Sequence, residues 1–174
     1  MLSEIRYTDI NEIVSKTLTG RVFNFADHRI KVKSAEVWGC GPNLNLRVSV
    51  KGDVNGDIYF QGIPRYEADS QRIVVQKFDF EVVTEEALLT SADWLLHSSF
   101  KDDILGALSI QLEDKIAKIP EAITNGIEQG KAGEKMDVSI KQWTFEPKEI
   151  WIRPDDIAIL IVVHAKARIE LKML

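Results

Sequence analysis

The sequence predicts an α+β fold, a long twisted antiparallel β-sheet wrapped around one long α-helix, with a short helix near the N-terminus. Three observations predict it. Apolar and polar residues alternate with period two on both sides of the chain's middle, the mark of half-buried strands. Between them, from Thr84 to Gln129, apolar residues recur every three to five positions, the mark of a helix. The last alternating run, Ile157 to Leu171, spans fifteen residues, against a mean strand of about 5–6. A strand that long suits a coiled sheet lying on a long helix.

The elements follow in order. Thr8-Asp9-Ile10-Asn11-Glu12 opens a helix with Thr8 or Asp9 as N-cap. Ile10, Ile13, Val14 and Leu18 carry its apolar spacing, and Gly20 closes it. Ile30 and Val32 alternate with Lys31 and Lys33. Gly39-Cys40-Gly41-Pro42 ends that strand, and Leu44, Leu46, Val48 and Val50 form the next. Asn55-Gly56 supplies the positive φ that a tight hairpin turn needs. Gly62-Ile63-Pro64 bends or interrupts the following strand. The apolar face switches between Val75 and Phe78, which places a β-bulge near Gln76-Lys77.

Thr84-Glu85-Glu86-Ala87 caps the long helix, with acids in its first turn. Its stripe includes Leu88, Ala92, Leu95, Leu96, Ser99, Ile104, Leu108, Leu112, Ile116, Ile119, Ile123 and Ile127. Pro120 kinks or restarts it. Strands resume at Met136 with Val138, Ile140, Trp143 and Phe145, Pro147 marks a turn, and Ile150 and Ile152 continue. Pro154-Asp155-Asp156 turns the chain into the final strand. No repeat or Pro/Gly/Ser-rich linker divides residues 1–174, so one domain is expected.

Composition narrows the function classes. The 174 residues carry 22 Lys and Arg against 27 Asp and Glu, a net charge of −5. That balance argues against nucleic-acid binding, which needs a basic face. It argues more mildly against a chain held by charge on an anionic membrane. Cys40 is the lone cysteine, which excludes an intrachain disulfide and a cysteine-based zinc site. Met1-Leu2-Ser3-Glu4 lacks the pattern of a signal peptide, and no apolar run is long enough to span a bilayer as a helix.

The polar motifs carry little chemistry. His28, His97 and His164 share no metal-ligand spacing. Asp53-Val54-Asn55-Gly56-Asp57 departs from a calcium loop, with Pro64 where the twelfth-position Glu belongs. Ser98-Ser99 sit in a helical pattern without a nucleophile elbow. Asp102-Asp103 and Asp155-Asp156 read as solvated faces and turns. Gly39-Cys40-Gly41-Pro42 lacks the Lys-Ser/Thr of a phosphate loop. No catalytic residue, metal site or cofactor is expected, and an enzyme is the least supported of three readings.

The helix stripe is the sharper candidate. Leu95, Leu96, Ile104, Leu108 and Leu112 either fill a core or line an apolar groove, and small residues (Ala92, Ser99, Gly106, Ala107) interrupt them. Trp38, Tyr59, Trp94, Trp143 and Trp151 add aromatic area, either buried or at a partner surface.

A resemblance points the same way. Four motifs carry it: Gly56-Asp57-Ile58-Tyr59-Phe60-Gln61-Gly62-Ile63-Pro64, Phe78-Asp79-Phe80-Glu81-Val82, Ala92-Asp93-Trp94-Leu95-Leu96-His97 and Trp151-Ile152-Arg153-Pro154-Asp155-Asp156. With the order helix, strands, long helix, strands, they make the chain resemble the C-terminal half of a bacterial domain-of-unknown-function family. That family is similar to one half of a tubular lipid-binding (TULIP-type, BPI-like) protein. The resemblance implies a long helix cupped by a twisted sheet, and a lipid or other apolar small molecule as ligand. It also implies a second half-domain of a longer chain or a homodimer, since complete members contain two halves. The periplasm or cell envelope follows if the chain is part of a secreted precursor. The expected function is non-catalytic binding of a lipid-like ligand in a helix–sheet groove lined by Ala92, Leu95, Leu96, Ser99, Ile104, Leu108 and Leu112. The alternative is a structural or protein-interaction module of a bacterial envelope assembly.

Overall fold

A computed structural model describes residues 1–25, 28–53, 55–84, 99–130 and 135–171, and among these described residues the chain forms two antiparallel sheets and four short helices. The order is β1 (Leu2–Arg6), α1 (Tyr7–Leu18), β2 (Val22–Phe25), β3 (His28–Cys40), β4 (Asn43–Gly52), β5 (Gly56–Glu67) and β6 (Arg72–Thr84). There follow α2 (Ser99–Ala107), β7 (Ile110–Gln111), α3 (Glu113–Ala117), α4 (Ile119–Glu128), β8 (Met136–Ile152) and β9 (Asp156–Leu171). The larger sheet runs β2-β3-β4-β5-β6-β7 and the smaller β1-β9-β8. The core draws on both, with Val37, Leu46, Ile58 and Ile73 from the larger sheet and Ile157, Ile159 and Ile161 from β9.

The expected long helix is therefore a correction. No sheet wraps around one long helix: the described part of that segment is three short helices, α2, α3 and α4. Residues 85–98, which hold the start of the predicted helix, lie outside the described residues. The reason for the first break is tertiary. The Leu112 amide donates to the Gln71 carbonyl at 3.0 Å, and Ile110 and Gln111 pair with Ile73 and Arg72 of β6. A sheet edge captures backbone groups that a continuing helix would have used internally. The second break is at Lys118, and Pro120 stands in the first turn of α4, where its missing N–H is harmless. Pro120 restarts a helix there.

Local chemistry accounts for much of the rest. Ile10, Val14 and Leu18 of α1 are buried at helical spacing, and Gly20 takes φ +85° just past the end. Thr8 and Asp9 fall inside the first turn, Arg6 holds the cap position, and Ile13 faces out. Asn11 covers the bare edge of β3. Its side-chain amide donates to the Val37 carbonyl at 3.0 Å, and its carbonyl accepts from the Val37 amide at 2.6 Å. One side chain thus replaces a neighbouring strand.

The bulge expected near Gln76-Lys77 is present, with Lys77 at φ 50° and the β5–β6 register shifting between Gln61 and Ile63. Pro64 lies beyond the end of the β4 pairing, where no partner requires its N–H. Pro147 marks no turn. It sits inside β8, which continues through it with register shifts at Lys141/Thr144 and Pro147/Glu149. The sheet tolerates it because β8 is an edge strand. Among the described residues no helix is long and apolar enough to cross a membrane.

Candidate functional site

Strand β9 presents its odd-numbered residues to one face, and these are apolar throughout. Ile157, Ile159 and Ile161 are at most 1% exposed. Val163 is half-buried, and the same face then opens: Ala165, Ala167, Ile169 and Leu171 are exposed, Ile169 at 59% and Leu171 at 79%. The core-facing stripe outruns the core. Strand β8 extends the surface sideways, since Met136 pairs with Leu171, Val138 with Ile169 and Ile140 with Ala167. Directly opposed residues share a face, so six apolar side chains lie together on this half of the ribbon.

The other face is charged. Lys141 stands directly opposite Lys166, Ser139 opposite Arg168 and Asp137 opposite Glu170. Arg168 pairs with Glu170 at 3.0 Å. Like charges directly opposed on a sheet repel, so the Lys141–Lys166 pair favours a nearby anion. A trough of about 530 Å³ lies between the end of α4 and this ribbon, with Ile127, Met136 and Val138 in its wall and charges of both signs, Lys141 and Arg168 with Glu128, Asp137 and Glu170, around them. Pro147, the two register shifts and Lys148 blunt the outer edge of β8 against strand addition. Strand β1 covers the outer edge of β9 as far as Leu160, and Met1 exchanges backbone hydrogen bonds with Ile161. Among the described residues no strand pairs with that edge beyond it.

A second cavity of about 450 Å³ lies where the sheets meet, lined by Pro64, Tyr66, Pro147, Ile150 and Trp151. Arg153 ties this end together. Its guanidinium donates to both Asp156 oxygens, at 2.5 and 2.7 Å, and to Glu4 at 2.6 Å. These bonds raise its already high pKa.

Tyr7 lies in the same seam, 7% exposed, with a hydroxyl that has no hydrogen-bond partner among the described residues. Burial, aided by the Asp156 charge, pushes its phenol up to about 12. The folded state therefore holds the Tyr7 proton more tightly than the unfolded chain, whose phenol titrates near 10. Stability from this group is complete below pH 10 and falls as pH rises towards 12. A Tyr7→Phe variant, which also removes an unpartnered buried hydroxyl, is expected to match the parent at pH 7 or exceed it. It is also expected to lose less stability between pH 10 and 12. Denaturant midpoints across that range check this, and equal losses in both proteins would contradict it.

The residues picked out from the sequence separate into three groups. Ile104, Leu108 and Leu112 come together in the core, at 0%, 2% and 1% exposure. Ser99 begins α2 on the exposed side. Ala92, Leu95 and Leu96 lie outside the described residues, as does His97. His164 is exposed on β9. No three metal-ligating side chains cluster among the described residues. The sequence does not mark Ile169, Leu171 and their β8 partners as a surface. Their alternation was visible, but alternation does not tell a covered face from an open one.

The model of the family described as Domain of unknown function (DUF4403) matches residues 1–171, and the chain belongs to that family. No curated protein and no solved structure matches it.

Proposed function

We propose that this family member binds a lipid-like, apolar molecule without catalysing a reaction, on the open half of the β8–β9 ribbon. One observation carries the reading: the stripe buried at Ile157–Ile161 continues as an exposed apolar face through Ile169 and Leu171. An apolar face of this kind is stabilised by a bound apolar partner. The trough beside it brings Ile127, Met136 and Val138 together next to charged residues of both signs, a mixed rim suited to the polar end of an amphiphile. The likeness to half of a tubular lipid-binding protein belongs to the same proposal, with a second half or a second copy completing the tube.

Solvent extraction followed by mass spectrometry, and titration with a fluorescent fatty acid, test it. The parent is expected to carry extractable lipid and to bind the probe saturably. Ile169→Lys and Leu171→Lys each remove roughly 1.5–3 kcal/mol of apolar burial, so each is expected to weaken binding about ten-fold or more. No extractable lipid together with no saturable binding would sink the reading.

The second reading is an interaction module of a bacterial envelope assembly. It is favoured by the position of the apolar face, which is exposed beside a β9 edge that no other strand pairs with among the described residues. Sedimentation over a concentration series separates the two. Self-association abolished by Leu171→Lys, with no lipid bound, would favour assembly.

A further inference from the structure

The outer face of the larger sheet carries a second surface, away from the ribbon. Strand register places Trp38, Asn45, Gln61 and Asp79 in one row across β3, β4, β5 and β6, and Glu36, Arg47, Tyr59 and Glu81 in the next. Each residue alternates with inward neighbours such as Val37, Leu44, Leu46, Ile58 and Phe60, which are buried. A groove of about 280 Å³ runs among Trp38, Asn45, Tyr59, Gln61, Asp79 and Glu81.

We infer that this groove binds a neutral oligosaccharide. The indole of Trp38 is half-buried, so its ring is braced and one part of it remains open. Flat apolar faces on Trp38 and Tyr59 match the C–H face of a sugar ring. Sugar hydroxyls each need donors and acceptors side by side. The two amides, the indole N–H and the two carboxylates supply both within one groove. Among the described residues the side chains of Trp38, Gln61 and Glu81 make no hydrogen bond of their own, which leaves them available to a ligand.

The charges select against an anion, which would meet Asp79 and Glu81 in the groove while the nearby Arg47 is held by Glu36 at 2.7 Å. With strands about 4.8 Å apart, four strands make a row of about 14 Å, room for roughly two or three pyranose rings. All six residues stand on paired strands, so the groove exists before the ligand arrives and little ordering opposes binding.

Native gel electrophoresis through hydroxyethylcellulose, xyloglucan, galactomannan and dextran tests the inference. The protein is expected to be retarded in at least one of these gels. Trp38→Ala and Gln61→Ala are each expected to raise the dissociation constant at least ten-fold, while Leu171→Lys leaves it unchanged. Gln61 is exposed, so its variant decides the matter even if Trp38→Ala fails to fold. Free migration in all four gels would overturn the inference, as would retardation that both folded variants retain. Retardation only in a charged pectate gel, abolished by salt, would also overturn it, because that behaviour is ionic. Failure of the ribbon to bind lipid would leave this result untouched.

Discussion

Replacing Gly39 by alanine is expected to destabilise the protein by about 3 kcal/mol, read as a lowered urea midpoint at unchanged slope. Gly39 sits on β3 where three separate parts of the chain meet. A methyl group there would overlap the Tyr7 hydroxyl from α1 and the Ile152 side chain from the end of β8, and would reach within 3.0 Å of the Arg153 carbonyl. The first two neighbours are themselves pinned. Tyr7 is buried and its amide donates to the Asp155 carbonyl at 3.1 Å, while Ile152 pairs with Ile157 of β9. Neither can yield without shifting the seam between the two sheets. Gly106 is the contrast: an added methyl meets nothing within 4 Å, and the residue stands in α2. Gly106→Ala is therefore expected to stabilise by about 0.5–1 kcal/mol through helix propensity. Equal midpoints for the two variants would show that the sheets do not close on Gly39.

What the sequence made legible was local. The Val14 and Leu18 face of α1, the Gly20 stop and the bulge beside Lys77 each follow from residues within a few positions, whereas Asn55-Gly56 forms no tight turn, since Gly56 is a strand residue paired with Val50 and Thr84. The length of β9 followed from an unbroken alternation. What failed to read through was set by partners distant in the chain. Ser109-Ile110-Gln111 carries no strong breaker, yet it leaves the helix because β6 offers Arg72 and Ile73 for pairing. Pro147 looked like a turn because a central strand would exclude it, and only the sheet order reveals that β8 is an edge. The short β1 leaves no legible signal in the sequence, since five residues with Ile5 alone buried carry too little pattern. The candidate site was half legible for the same reason. Alternation marked Ala167, Ile169 and Leu171 as one face, but whether anything covers that face is a property of the fold.

The second large effect is expected at Phe100. The sequence stripe ran through Ser99, which proves exposed, and passed over Phe100, which is fully buried. The correct helical series is Phe100, Ile104, Ala107 and Leu108, at steps of four, three and one, and all four are buried. Phe100 meets Phe23 of β2 edge-on, with ring centroids 4.6 Å apart and planes at 82°, and its ring lies 6.0 Å from that of Phe60 on β5. It thus joins a helix to two strands of the larger sheet. Arg21 closes the same corner, pairing with Asp103 at 2.9 Å and lying over the Phe23 ring at 5.7 Å. Phe100→Ala is expected to cost about 3–5 kcal/mol, the range for emptying a buried aromatic site. Phe100→Leu fills most of that space and is expected to cost about half as much or less. A double-mutant cycle with Phe23→Ala should return a coupling of about 0.5–1.5 kcal/mol, the contribution of an edge-on ring pair beyond its buried area. If Phe100→Ala cost no more than an exposed substitution, α2 would not be docked on this sheet, and the buried placement of Ile104 and Leu108 would fall with it.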